Sequence, residues 1–418
     1  MSLRMGVARR DVSPHHPVQL AGFGSRAGAL VSEIAHPIML RVAVVAGERG
    51  GRLALVSGEF LNWSTEGDER FRAIVAENAG VATSGILFSA THTHSAPQLS
   101  YLQAATLGVA DDAYLDDVAL HLADASREAA ASDQEVVARR AIGRHDLARQ
   151  RRAELDLSVD PTPPLIDDRL TVIRFDGAHG PVACFVHYAC HPVVSAENVV
   201  SGDFFGAGVA EVERATGALA FPLQGCAGDV NPGYDAPYAG IERAGELGRE
   251  LADAVSALLA KTGERLHPGT PVATWASAEL PLVGIPSADV LLETSRAPGL
   301  DGEWARALIA HPELVRPSVE CRLQLWSLGE DLQLLGMSGE VTSDYGLRIR
   351  ERSGGTTLPI AYSNGMVGYL PTARQIAAGG YEVDVSARCY LLPGTFDPVI
   401  ERRLNDAVDS LLPTDGRP

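Results

Sequence analysis

Gly85 to Gln98, GILFSATHTHSAPQ, decides how the rest of the chain is read. It opens as an apolar run of strand length and ends in two histidines one residue apart. Side chains alternate faces along a strand, so His92 and His94 are expected to point the same way. The Ser95-Ala96-Pro97 that follows marks the accessible end of a sheet. Neutral imidazole is the commonest transition-metal ligand, and a paired histidine also serves as an outer hydrogen-bonding partner or as an acid and base. The pair alone fits hydrogen-bonded structural residues equally well.

On the N-terminal side, residues 3–12 and 37–57 read as strands, and Ser64 to Ala79 reads as a helix with Phe71, Ile74 and Val75 at helical spacing. Strand, helix and strand therefore alternate through the first hundred residues. This predicts an α/β fold, a large mixed-sheet catalytic domain with ligands at strand ends and loops. On the C-terminal side, 112–131 is a second helix and 141–164 an irregular, arginine-rich passage. A strand pair follows, LTVIRFDG and PVACFVHYACHPVV, again ending in histidine before proline. A helix over 206–216, a strand FPLQGCAG, and a helix over 241–261 come next. The Pro- and Gly-rich stretch 265–300 reads as a connector that contains strand-like runs of its own, so the single domain 1–418 divides into lobes 1–264 and 265–418. CRLQLWSLG and LQLLGMSGE form a hairpin, and 395–412 a terminal helix.

Composition narrows the partners. A formal net charge of -18 opposes nucleic acid and anionic membrane surfaces, which leaves a small-molecule substrate. Five cysteines, Cys184, Cys190, Cys226, Cys321 and Cys389, show no C-x-x-C spacing, and their odd number fits a reducing compartment. The N-terminus lacks the apolar core of a signal peptide, and no run approaches the roughly 20 apolar residues that span a bilayer. A cytoplasmic protein is expected; its oligomeric state is not encoded in any pattern seen here.

Three strand ends deliver polar groups: THTHS, YACHPVV and MSGEV. Two histidines and a glutamate are a common ligand set for a catalytic zinc with one position open to water. The strings SATHTHSAP, FVHYACHPVVSAENVVSGDF, LQGCAGDVNP, MSGE and NGMVGYLPT followed by YE, together with DVSP, LAGFGSR and HPIMLRVAVV, resemble the catalytic domain of the neutral, non-lysosomal ceramidase family, in order and over nearly the whole chain. The resemblance implies one Zn2+ per chain held by His92, His191, Glu340 and Tyr369. His187, four residues earlier, competes with His191. It further implies supporting roles for His94, Arg151 (with Arg149 and Arg152 as alternatives) and Tyr381. The motif departs from the family at Asn231, where GDVNP replaces the family's GDVSP and its serine. Asn231 can orient but cannot attack, so water is the expected nucleophile, with Asp229 or His94 taking its proton; Asp229 serves equally well as a loop tie. Asp203 and Glu59 are candidates for a second metal, with helix capping favoured for Asp203.

The expected function is a zinc-dependent hydrolase cleaving an amide, ester or lactone bond. The family's C-terminal β-sandwich has no counterpart in these motifs and no basic amphipathic helix is found, which points to a small polar substrate rather than a membrane lipid. The alternatives are a metal-dependent lyase or isomerase acting on a sugar acid, and a ligand-binding relative without catalysis.

Overall fold

The computed structural model describes residues 2–48, 50–152, 165–233 and 238–412. Its main sheet is mixed, and its strands run in the order Leu219–Gln224, Gly180–Tyr188, Arg169–Gly177, Gln134–Arg144, Leu3–Asp11, Met39–Gly47, Arg52–Gly58, Ile86–Ala90. Neighbours are antiparallel except at the two ends, where Ala54–Gly58 runs parallel to Ile86–Ala90 and Ala183–Tyr188 parallel to Leu219–Gln224. Each parallel step needs a crossover, supplied by the helices Asp68–Ala79 and Asp203–Thr216. The sheet is thus built twice from the same plan, three antiparallel strands, a helix and a fourth strand. The two copies meet at Leu3–Asp11 and Gln134–Arg144.

Strand alternation divides the core. Ala43, Val45 and Leu55 pack on one face with Trp326, Leu334 and Leu358 of a second sheet. Val42, Val44 and Val56 pack on the other face with Phe71, Val118 and Leu122 of the covering helices. Burial on both faces explains why Met39–Gly47 reads as a continuous apolar run. The second sheet has the order Thr357–Ile360, Gln333–Met337, Ser318–Ser327, Val272–Val283, Thr395–Phe396, and the helix Ile400–Leu411 packs on Val272–Val283.

Two expectations need correction. The stretch 265–300 is not a connector: it carries the twelve-residue strand Val272–Val283 and two helices, Ala288–Thr294 and Gly299–Ala310. Only three of the strand's twelve side chains are buried and Pro281 lies within it, which left the sequence signal weak. Within 141–164, residues up to Arg144 continue the long strand Gln134–Arg144, and Ala148–Gln150 is a short strand; 153–164 lie outside the described residues. The two sheets share one apolar core, so the division at 264 separates sheets that pack face to face.

One buried group makes the fold pH-sensitive. His187, inside Gly180–Tyr188, donates Nε2 to the Pro359 carbonyl at 2.8 Å and accepts from Arg350 at 2.9 Å, while Arg350 pairs with Asp167. Burial, then the Arg350 charge, pushes the imidazole down to about 4. The unfolded chain titrates near 6.5, so the neutral ring's contribution is complete above that pH and is lost as pH falls towards 4. The loss should approach roughly 3 kcal/mol for this one group. Urea midpoints of the wild type and His187→Gln, compared at pH values above and below this window, check it: the variant should lose less on acidification. Equal losses would remove His187 as the source.

Candidate metal centre

The strand Ile86–Ala90 stops two residues before His92, so strand alternation does not orient the histidine pair. His92 instead takes a left-handed backbone, φ 67°, with its N–H on the Phe60 carbonyl at 2.8 Å. A non-glycine residue in this region is strained and is held there by its surroundings. The residues that follow are held by Arg26, buried, which donates to the carbonyls of Ala21, His94 and Glu197 and to Ser95 Oγ. Gly22, φ 95°, allows the loop to close, because a Cβ there would lie 2.5 Å from His94 Nδ1.

His191 follows the strand Gly180–Tyr188, and its backbone N–H is tied to Val230. Glu340 and Tyr369 are direct partners in a short parallel bridge, which brings two residues far apart in sequence side by side. These four segments converge. The Nε2 atoms of His92 and His191 each lie 3.1 Å from Glu340 Oε2, and His94 Nε2 lies 3.3 Å from His92 Nε2. Among the described residues, His92, His94 and His191 form a group able to hold a metal ion.

The hydrogen bonds set the protons. His92 Nδ1 meets the Leu61 carbonyl at 2.7 Å and His191 Nδ1 the Ala227 carbonyl at 2.6 Å. A carbonyl only accepts, so in each neutral ring Nδ1 carries the proton and Nε2 presents a lone pair. Burial pushes His191 down to about 4 and holds His94 well below the usual range, the neighbouring imidazoles adding to the effect. Burial would raise Glu340, but positive charge placed at the facing His92 and His191 outweighs it and holds the carboxyl well below its usual range. Two imidazole lone pairs and a carboxylate oxygen therefore face one another with no donor among them. That arrangement repels unless a cation lies between, and two nitrogens with one oxygen suit zinc. The residues present fit the ion.

The centre borders a cavity of about 500 Å³ lined by His94, Arg151, Asn231, Tyr238, Tyr369 and Tyr381, among others. Arg151 donates to Glu382 at 2.6 Å and to the Gly228 carbonyl at 2.7 Å, also bonds Tyr369, and lies over the rings of Tyr369 and Tyr381. Arg152 pairs with the other oxygen of Glu382 and with Gly379, whereas Arg149 turns to Asp146. The Asn231 Oδ1 is buried and has no partner among the described residues. Asp229 does not reach the cavity: it accepts from the Ser343 N–H at 2.8 Å, Gln375 at 2.8 Å and Gln150 at 3.0 Å, the geometry of a loop tie. His187 lies in the core, Glu59 pairs with Arg41, and Asp203 accepts from the N–H groups of Ser195 and Phe204. None of these three joins the cluster.

Three residues went unnoticed in the sequence. Tyr362 stacks on His92 at 4.2 Å, Tyr390 donates its hydroxyl to Glu340 Oε1, and Glu382 holds both arginines. Only Glu382 left a signal, as the acid beside Tyr381 in GGYEVD. No helix among the described residues is long and apolar enough to cross a membrane.

No protein-family model matches the chain, and no curated protein matches it in sequence. Solved structures do. The neutral ceramidase from Pseudomonas aeruginosa matches with a TM-score of 0.78 at 18% identity, over 99% of this chain and 75% of that one. A ceramidase complexed with C2 matches equally well, TM-score 0.78 and 18% identity, over 99% of this chain and 76% of its own. Over nearly its whole length, then, the chain has a ceramidase-like fold.

Proposed function

We propose that the protein is a zinc-dependent hydrolase acting on an amide, ester or lactone bond of a small polar substrate. The observation that carries this reading is the convergence of His92 Nε2 and His191 Nε2 on Glu340 Oε2, each at 3.1 Å, at the wall of an open cavity. His92, His191, Glu340 and Tyr369 would hold the ion. Zinc bound there supplies a water of lowered pKa and polarises a carbonyl.

The chain's own residues do the rest. His94, neutral because it is buried among other imidazoles, accepts the proton that the attacking water gives up and returns it to the leaving group. Arg151 is held by Glu382 between two tyrosine rings, so its charge and the Tyr381 hydroxyl face developing negative charge without having to reorganise. Asn231, which lines the cavity, orients the substrate. Arg151, Arg152, Asn231 and three tyrosines in the lining offer hydrogen-bond partners to a polar substrate.

Zinc-loaded protein incubated with a panel of small amides, esters and lactones in ¹⁸O-water tests the reading. Hydrolysis must place the label in the acid product. Turnover without label would replace the hydrolase by a lyase or isomerase, and no turnover of any member would favour a binding protein.

A further inference from the structure

A carboxylate can hold a metal ion by one oxygen or by both, and the two oxygens of Glu340 are placed differently. Oε2 faces the Nε2 atoms of His92 and His191, 3.1 Å from each. Oε1 instead accepts a hydrogen bond from the Tyr390 hydroxyl. Tyr390 is itself fixed: its N–H lies on the Ser386 carbonyl at 3.1 Å, and the carbonyl of Cys389 takes the Ala104 N–H at 2.9 Å. Its ring packs on Gly368, where an added Cβ would lie 3.5 Å from it, and the Gly368 carbonyl takes the Glu340 N–H at 2.9 Å. Glu340 is thus held at its backbone by Gly368 and at its carboxylate by a ring resting on that same glycine.

We infer that Tyr390 is a positioning residue that restricts Glu340 to one-oxygen binding, and so keeps one coordination position of the metal centre open to water or substrate. The inference rests on the zinc reading above. Without the hydroxyl, Oε1 is left unpaired on a side chain 2% exposed, which is costly, and turning onto the ion would satisfy it. The second oxygen would then fill the open position. Tyr362 supplies a contrast: its ring stacks on His92 at 4.2 Å, but its buried hydroxyl has no hydrogen-bond partner among the described residues.

Cobalt(II) takes the same nitrogen and oxygen ligands as zinc, and its visible absorption weakens as coordination number rises. The intact wild type, Tyr390→Phe and Tyr362→Phe, each loaded with cobalt and titrated with azide, test the inference. Phenylalanine keeps the ring on Gly368, so only the hydroxyl is removed. Tyr390→Phe should keep its cobalt through dialysis, absorb more weakly than the wild type, and bind azide about tenfold or more weakly, the usual scale for loss of a ligand's hydrogen-bond partner. Tyr362→Phe should match the wild type in both readouts. Tyr390→Phe with the wild-type spectrum and azide affinity would overturn the inference while leaving the metal site standing, and so would equal changes in Tyr362→Phe. Loss of cobalt from Tyr390→Phe would overturn it too, by making the hydroxyl a condition of metal binding. A wild type that takes up no cobalt would overturn the zinc reading and this inference with it.

Discussion

Glu340→Ala is expected to cost the protein its zinc: from about one ion per chain to a trace, by elemental analysis after dialysis, with hydrolysis lost alongside. Among the described residues the carboxylate is the negative charge that faces His92 Nε2 and His191 Nε2, 3.1 Å from each. Replacing even an outer-shell partner typically weakens metal binding about 10–100-fold, so removing a ligand should weaken it by at least about 100-fold. His92→Ala and His191→Ala should behave alike. His94→Ala separates two roles for the third imidazole, which lies 3.3 Å from His92 Nε2. Retained zinc with lost turnover assigns it to proton transfer, and lost zinc makes it a ligand. A Glu340→Ala protein that still held stoichiometric zinc would move the metal elsewhere and end the site assignment.

The largest effect on stability is expected at Arg41, which no functional argument touches. Its guanidinium, fully buried in the strand Met39–Gly47, bonds Glu59 at 2.6 Å and Glu213 at 2.8 Å. Burial would lower its pKa, but the two carboxylates outweigh that and raise it. Arg41→Leu leaves Glu59 buried without a cation, and breaking such a pair costs about 3–5 kcal/mol. Glu213 keeps Arg9. Arg41→Met combined with Glu59→Leu removes the stranded charge and should recover much of the loss. Burial already raises the Glu59 pKa, so without Arg41 the carboxyl should bind a proton more readily. The single variant should therefore be less destabilised at mildly acidic pH than at alkaline pH. Denaturant midpoints measure all three points, and a loss below about 1 kcal/mol at alkaline pH would show that the network does not act as a unit.

What the sequence determined by itself are features local enough to be written in neighbouring residues. Apolar runs bounded by glycine and proline gave the strands Leu3–Asp11, Met39–Gly47 and Gly180–Tyr188, and periodicity gave Asp112–Ala131 and Ile241–Leu259. The polar ends THTHS, YACHPVV and MSGE were legible because chemistry-bearing residues interrupt apolar strands. Val272–Val283 was legible only as strand-like runs within a connector, since a strand with three of twelve side chains buried carries a weak apolar pattern. Tertiary structure alone decided the rest. It selected His191 over His187 by ending the strand at Tyr188, so that one imidazole enters the cleft and the other the space between the sheets. It turned Asp229 away from the cavity onto Ser343, Gln150 and Gln375. Tyr362 and Tyr390 joined the centre through contacts with residues 270 and 50 positions away, and a left-handed backbone at His92 did the orienting that strand alternation was expected to do. Sequence records which groups each segment brings to its end; which of them share one center depends on how two sheets pack, a sum of many contacts that no short window contains.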